Sequence, residues 1–266
     1  MTIKQKNIIF LFFILYHNFS IIYAQETKLN QSQPKNQDFH FLFSIGYLMA
    51  GASTEFFSFY KNELSGVSKE FKLSPSLSFG LIFYLSPNAN IQLLGEINRA
   101  KINDNYDEII TSGHTGARNI TQNFDISSFP ITINYKFNPV ISEYFSYVMI
   151  GAGVIYSHLK WEESVYSSIQ DDIRTGGVHY NNDLIAPMIR LSSGIELEFD
   201  KKTEKKFLHS FFFEFSFNYF FRSADIFSKV VNQFYTQKED FSKNYTILPY
   251  YFGLNFGIYF NLDFVN

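Results

Sequence analysis

Apolar and polar residues alternate through the stretch from residue 124 to residue 161, which reads FDISSFPITINYKFNPVISEYFSYVMIGAGVIYSHLKW. In its first half, Phe129 and Ile131 share one side, while Thr132 and Asn134 share the other. Successive side chains of a β-strand point to opposite faces of the sheet. The pattern therefore predicts two strands joined by a short turn, with one apolar face and one small, polar face. Such strands are typical of a barrel wall with lipid outside and a polar lumen inside.

The same alternation recurs along the rest of the chain and predicts eight strands in all. Besides the two strands of this hairpin, the predicted strands are 39–50, 73–85, 90–102, 185–199, 208–222 and 247–260. The predicted connections are alternately short (86–89, 138–143 and 200–206) and long and polar (51–72, 103–123, 162–184 and 223–246). Outer-membrane barrels alternate in this way because their periplasmic turns are short and their extracellular loops are long. We therefore predict an all-β fold, an eight-stranded antiparallel transmembrane β-barrel of the outer-membrane type.

The first residues of the chain, 1–24, predict a secretory signal peptide. Lys4 and Lys6 precede a short apolar core, and Ala24 is a small residue that suits cleavage. An N-terminal membrane anchor is the alternative, but His17 interrupts the apolar run and leaves it short for a membrane span. The expected location is therefore the outer membrane, reached through a cleaved signal peptide.

Two further segments complete the expected domain organisation. Residues 25–37 are polar and predict a disordered periplasmic leader. Residues 38–266 predict the outer-membrane β-barrel domain. The predicted strands exceed the nine to eleven residues that cross a bilayer, so the wall is expected to continue beyond the membrane on its outer side.

The composition favours a lipid-facing surface over a buried core. The chain contains 33 Phe and 18 Tyr, whereas only 18% of its residues are charged. A soluble β-sandwich is the alternative, but a soluble protein usually carries more charge. The net charge of -3 predicts no broad basic surface for nucleic acid, and the absence of cysteine excludes disulfides and thiolate metal sites.

A family resemblance lies in the hairpin from which the pattern starts. It rests on the strings FPI at 129–131, INYKF at 133–137 and YVMIGAGV at 147–154, which resemble the PorT-like outer-membrane β-barrel proteins. In that family a strand with Pro and a Lys-Tyr pair precedes a strand with an aliphatic run into Gly, and here the pair is inverted as Tyr135-Lys136. The resemblance implies an eight-stranded outer-membrane barrel. A role in a protein secretion machinery, known for one member, would follow by fold analogy only.

Charged and amide side chains on the polar face predict the contents of the lumen. They are Glu96, Lys136, Arg190, Glu196, Glu214, Asn218 and Asn255. An eight-stranded barrel is just wide enough for side chains to fill, and an unpaired buried charge is costly, so opposite charges should pair. The five charged residues therefore predict a salt-bridged lumen network. A narrow gated conduit is the alternative.

Glycines and aromatic residues add two structural expectations. Glycines are predicted to make room in the lumen for large neighbours such as Tyr251 and Tyr259; they are Gly46, Gly80, Gly151, Gly153, Gly194, Gly253 and Gly257. Aromatic residues near the strand ends are predicted to form interfacial girdles; they are Tyr84, Tyr135, Tyr156, Trp161, Tyr219 and Tyr250.

Adjacent carboxylates raise the question of a metal site. Glu162-Glu163 and Asp171-Asp172 lie in one predicted loop with Asp183. Carboxylate oxygens at such spacing suit Ca²⁺, but the chain has no D-x-D-x-D-G loop, which favours a solvated acidic loop. We expect no bound metal and no cofactor.

Histidines next to serines raise the question of catalysis. His158 with Ser157, and His114 with Ser112, are candidate base–nucleophile pairs for a lipid- or peptide-modifying enzyme. Neighbours in sequence do not by themselves have that geometry, and the chain contains neither H-E-x-x-H nor G-x-S-x-G. We therefore expect these residues to be ordinary loop or rim residues and the protein not to be an enzyme.

The predicted loops are the remaining candidates for function. They contain the polar segments 112–116 and 175–177 and the aromatic pair Phe234 and Tyr235. Loops on a rigid scaffold commonly carry recognition. We expect a monomeric, non-enzymatic structural or interaction protein that displays four extracellular loops. Its expected partners are outer-membrane lipid and proteins bound through the loops or periplasmic turns. The alternatives are a narrow small-solute channel, a secretion-machinery component and a membrane enzyme.

Overall fold

The computed structural model describes most of the predicted barrel domain. The described residues are 39–51, 57–58, 60–61, 66–86, 88–110, 116–139, 144–172, 177, 179–199, 207–221, 224–225, 246–247 and 250–261. The predicted signal peptide and leader lie outside them. The described residues form ten strands: β1 (Phe39–Gly51), β2 (Ser74–Ser86), β3 (Ala89–Ile110), β4 (Gly116–Phe137), β5 (Tyr144–Ser167), β6 (His179–Glu198), β7 (Leu208–Phe220), β8 (Ala224–Asp225), β9 (Thr246–Ile247) and β10 (Tyr250–Asn261).

Eight of these strands close into a barrel in the order β1-β10-β7-β6-β5-β4-β3-β2, while β8 and β9 form a separate two-stranded sheet. Every neighbouring pair in the ring is antiparallel. A row of paired residues that starts at Phe41 and passes once around the ring returns to β1 at Gly51, ten residues further along. Such a shift requires strands that are tilted against the barrel axis. The prediction of an eight-stranded antiparallel barrel is confirmed.

An apolar belt covers the outside of the lower barrel. We call the end at which β3 passes to β4 the upper end. The belt comprises the outward side chains of β1, β2, β7 and β10 and those of the lower parts of β3, β4, β5 and β6. On these last four strands it ends at Ile97, Phe129, Tyr156 and Ile185, respectively. Its exposed members include Phe43, Ile45, Phe79, Ile131, Ile133, Ile150, Val154, Phe215 and Phe256. No outward side chain in the described part of this belt is charged. The alternation of the predicted strands therefore places the apolar face outside.

Four neighbouring strands extend beyond this belt. β3, β4, β5 and β6 have 20 to 24 residues, whereas β1, β2, β7 and β10 have 12 or 13. The long loops predicted at 103–123 and 162–184 are therefore wrong in extent, because most of their residues continue the strands. We call this one-sided extension the upper wall.

The apolar face changes sides where the upper wall begins. In the belt the apolar side chains of β4 and β5 point outward, as Ile131 and Val154 do. In the upper wall the apolar side chains point inward and are buried, as are Ile102, Phe124 and Trp161. The backbone pairing continues without interruption through this change in β4 and β5. The upper wall is therefore built with a buried core and a polar exterior, and the lower barrel with an apolar exterior.

Among the described residues, no helix has both the length and the apolar character that a membrane span needs.

Candidate functional site

A buried charge network occupies the inside of the lower barrel. Arg190 on β6 lies between two carboxylates, with Nη1 2.5 Å from Oε1 of Glu96 and Nη2 2.6 Å from Oε1 of Glu214. The three strands involved bring these side chains together from different parts of the chain. Tyr147 donates a hydrogen bond of 3.0 Å to the second oxygen of Glu214. All four residues are buried.

A second buried pair joins Lys136 on β4 to Glu196 on β6. Lys136 also donates a hydrogen bond of 3.2 Å to the hydroxyl of Tyr259, and Ser210 donates one of 2.5 Å to Glu196. The Lys136 ammonium lies 4.0 Å from the ring centroid of Tyr147, a cation–π contact. All five charged residues that the sequence assigns to the lumen thus lie on the inner face in two ion-paired groups.

The two predicted lumen amides are also buried. Asn255 donates a hydrogen bond of 3.4 Å to Ser216 and accepts one of 3.4 Å from Ser76. Neither polar side-chain atom of Asn218 has a hydrogen-bond partner, and the same holds for Asn98, which lies on the same inner face. Buried polar atoms are costly without partners, and Asn218 lies directly opposite Arg190 in the register, so the interior next to the charge network is polar.

An apolar layer packs against the charge network. Its buried members are Leu42, Ile82, Leu94, Tyr147, Met149, Phe212 and Tyr259. The expected face of small, polar side chains is therefore only part of the interior. The lower barrel is filled by aromatic and aliphatic side chains as well as by ion pairs, which is what its eight-stranded width allows.

Two glycines make room for this layer. A Cβ atom on Gly257 would lie 2.2 Å from the ring of Phe212, and one on Gly194 would lie 2.6 Å from the ring of Tyr147. These two glycines therefore make room for large neighbours, as expected, but the neighbours are Phe212 and Tyr147. Tyr251 and Tyr259, which the sequence suggested, are not among the nearest contacts at either glycine.

An aromatic layer fills the upper wall. Trp161 stacks on Phe124 with a centroid separation of 5.2 Å, and Tyr60 meets Phe124 edge to face at 5.4 Å. The assignment of Trp161 to an interfacial girdle is wrong, because its side chain is only 1% exposed and points inward. Tyr84 is also wrongly assigned, because its ring packs inside against His40 at 4.9 Å. The other four candidates, Tyr135, Tyr156, Tyr219 and Tyr250, lie on outward positions.

One carboxylate attaches the connection between β1 and β2 to the upper wall. Asp104 on β3 accepts hydrogen bonds from the hydroxyls of Tyr60 and Ser68 and from the backbone N–H groups of Val67 and Ser68, at 2.5 to 2.9 Å. Partial burial opposes ionisation, but these hydrogen bonds outweigh it and hold the pKa of Asp104 below its ordinary value. We call this contact the Asp104 latch. The sequence analysis did not find it, because nothing in the pattern around Asp104 identifies its distant donors.

The adjacent carboxylates do not come together. Glu162 points outward and pairs with Lys160 at 2.6 Å, whereas Glu163 points inward and accepts a hydrogen bond of 2.8 Å from Gln122. Asp172 pairs instead with Arg118 at 2.6 Å, and the carboxylates of Asp171 and Asp183 are exposed. Among the described residues, no group of three His, Asp or Glu side chains is arranged to hold a metal ion.

The candidate catalytic pair is separated as well. Ser157 shares a hydrogen bond of 3.0 Å with Ser128 on the inner side, while His158 on the outer side lies 2.7 Å from Asp183. Because neighbouring residues of a strand face opposite ways, His158 cannot act as a base for Ser157. The other pair, Ser112 and His114, lies outside the described residues, as do 175–176, Phe234 and Tyr235.

These features define a class of protein: an eight-stranded antiparallel β-barrel with an apolar exterior and a filled, ion-paired interior. No family model matches the chain, so the PorT-like resemblance has no such support, and no curated protein matches it.

Several solved structures are similar at low identity. Ail, the attachment invasion locus protein of Yersinia pestis in complex with the heparin analogue sucrose octasulfate, is 10% identical, with a TM-score of 0.38 over 84% of this chain and 99% of Ail. Neisserial surface protein A is 11% identical, with a TM-score of 0.41 over 84% and 97%. The N-terminal β-barrel domain of Pseudomonas aeruginosa OprF is 11% identical, with a TM-score of 0.35 over 86% and 100%.

Proposed function

We propose that this chain is an outer-membrane β-barrel protein that acts as a non-enzymatic structural or interaction protein. The observation that carries the proposal is the change of apolar face along β4 and β5. Below the change, side chains such as Ile131 and Val154 are exposed on the outside, and above it Phe124 and Trp161 are buried on the inside. One continuous sheet with both arrangements fits lipid around its lower part and water around its upper part.

The outer membrane is the membrane that suits this architecture. Single-chain bacterial barrels with an even number of strands, short turns at one end and longer extensions at the other belong there. The predicted signal peptide at residues 1–24 supports export. In this orientation the upper wall faces the cell exterior.

The filled interior supports a role other than conduction. A solute would have to pass the layer around Tyr147 and Phe212, the ion pairs of Arg190 and Lys136, and the stacked rings around Trp161. Moving charged side chains out of such pairs is costly. What the protein presents to the outside is therefore its surface, namely the polar exterior of the upper wall and the connecting loops.

Conductance and location together test the proposal. Purified protein would be reconstituted in a planar bilayer, with a porin in parallel as the positive control, and the cell fractions would be run on a detergent gel before and after boiling. We expect a silent bilayer and a heat-shifted band in the outer-membrane fraction. Stable conductance steps would overturn the closed interior. An unshifted band in the soluble periplasmic fraction would overturn the membrane assignment.

A further inference from the structure

Basic side chains gather on the outside of the barrel just above the apolar belt. Two successive rows of paired residues lie there. The first row contains Arg99, Ser127, His158 and Asp183, and the second contains Lys72, Lys101, Asp125, Lys160 and Asn181. Lys and Arg outnumber Asp by four to two in these rows, although the whole chain has a net charge of -3. We call these two rows the basic band.

The acidic residues of the basic band do not neutralise it. Asp125 binds the guanidinium of Arg99, with Nε 2.7 Å from Oδ1, and lies 3.6 Å from the ammonium of Lys101. One carboxylate therefore serves two cations. Lys160 pairs with Glu162 of the next row up, at 2.6 Å. The positive charge that is left over lies mainly at Lys101 and its neighbour Lys72.

Lys72 and Lys101 form a directly opposed cross-strand pair. The N–H of Lys72 donates a hydrogen bond of 2.9 Å to the carbonyl of Lys101, and the side chain of Lys72 is exposed. Adjacent strands lie about 4.8 Å apart, and like charges directly opposite each other are destabilising. An anion beside the two ammonium groups would turn this repulsion into attraction.

The height of the basic band indicates where such an anion comes from. Its lower row follows the last apolar row of Phe129, Tyr156 and Ile185 by two residues, which is about 7 Å along the strands. Lipid head groups extend roughly 5 to 8 Å beyond the hydrocarbon core. In the described part of β1, β7 and β10, no outward side chain is Lys or Arg, so the band lies on one side of the barrel.

We propose that the basic band binds the phosphate groups of an anionic lipid in the leaflet at the upper edge of the belt, with Lys72 and Lys101 as the central pair and Arg99 and Lys160 beside them. This inference rests on the proposed outer-membrane location. A lipid is favoured over a soluble polyanion because the band adjoins the apolar belt, so one ligand can place its acyl chains on the belt and its phosphate on the lysines. Basic groups close to an anionic membrane surface attract it by about 1 kcal/mol each, which corresponds to roughly fivefold in affinity.

The test uses the full chain in phosphatidylcholine vesicles that contain a small fraction of lipid A, a glycolipid with two phosphates. The variant K72Q/K101Q/K160Q removes three charges from the band. The variant K201Q/K202Q/K205Q removes three charges from the connection between β6 and β7 and is the matched control. Bound lipid A is counted by native mass spectrometry, with its phosphate-free form as a second probe. Each variant is first checked for a heat-shifted band.

We expect the band variant to bind lipid A at least about tenfold more weakly, and the control variant to bind it like the wild type. The phosphate-free glycolipid should bind all three proteins equally weakly. Equal lipid A binding by the two variants would overturn the proposal and leave the membrane assignment intact. If the band variant lost binding of a soluble sulfated polysaccharide but bound lipid A like the wild type, the ligand of the basic band would be a soluble polyanion, and the lipid proposal would be overturned. A wild-type protein that fails to insert would overturn both proposals.

Discussion

At the scale of single residues, buried ion pairs connect the strands inside the barrel, and the sequence predicts that their side chains point inward. The alternation places Glu96, Arg190 and Glu214 on the polar face, and all three are buried inside the barrel. Their partners could not be predicted, because pairing depends on the register of strands far apart in the chain. For Trp161 the residue type is misleading. Tryptophan is typical of a membrane interface, but the position of Trp161 in β5 directs its side chain inward.

Replacing Arg190 by Met tests the network. It leaves Glu96 and Glu214 buried without their shared cation, and breaking a buried pair in this way costs about 3 to 5 kcal/mol of unfolding free energy. Arg99→Met is the matched control, because its ion pair with Asp125 is exposed and is worth less than about 1 kcal/mol. Urea unfolding in vesicles, followed by the heat-shifted band, measures both variants.

The triple variant Arg190→Met, Glu96→Gln, Glu214→Gln should recover most of the loss, because the uncompensated charges are gone. A cost for Arg190→Met no greater than that for Arg99→Met would contradict the network.

At the scale of elements, the strands of the lower barrel follow from the sequence and the upper wall does not. The alternation that predicts β1 and β7 keeps one phase from end to end. In β4 the apolar positions are odd-numbered from Phe129 to Tyr135 and even-numbered from Ile120 to Ile126. The change of phase breaks the pattern that identifies a strand, so the sequence predicts a loop where the upper part of β4 lies. The change of phase itself marks both the continuation of the strand and the upper edge of the apolar belt.

The Asp104 latch makes a prediction at this scale. Asp104→Asn removes the negative charge that strengthens the hydrogen bonds from the backbone N–H groups of Val67 and Ser68, both of which end on Oδ2. A hydrogen bond to a charged group is worth about 1.5 to 3 kcal/mol, so amide hydrogen exchange at these two residues should become roughly 10 to 100 times faster. Asp107→Asn is the control, because Asp107 lies on the outer side and bonds only to Asn119 among the contacts described.

The latch should also depend on pH. The folded-state pKa of Asp104 is depressed, so the ionised carboxylate stabilises the latch fully at any pH above the ordinary carboxyl pKa of about 4. This stabilisation is lost as the pH falls through the lower pKa of the folded state. Exchange at Val67 and Ser68, corrected for its intrinsic pH dependence, should be constant from neutral pH to about pH 5 and accelerate below pH 4. Protection that is lost near neutral pH, or is unchanged by Asp104→Asn, would contradict the latch.

At the scale of the whole molecule, one sheet carries its apolar side chains on the outside in the lower barrel and on the inside in the upper wall. The fold class could be predicted because short stretches of sequence determine the number of strands, which side chains of each strand share a face, and the alternation of short and long connections. The surface offered to a partner could not be predicted, because the outward side of the upper wall combines paired and unpaired charges from four strands, and only the register shows which ones adjoin. The basic band, with Lys72 beside Lys101, is the clearest case.

Quenching of tryptophan fluorescence by lipids with brominated acyl chains tests the central claim, that lipid covers the lower exterior and not the interior. Trp161 is the only tryptophan in the chain and lies inside the upper wall, so wild-type emission should be nearly unaffected. The variant Trp161→Phe, Val154→Trp moves the single tryptophan to an outward belt position, where 51% of the native side chain is exposed, and its emission should be strongly quenched. Equal quenching at both positions, or none at residue 154 in a protein that has inserted, would contradict the account.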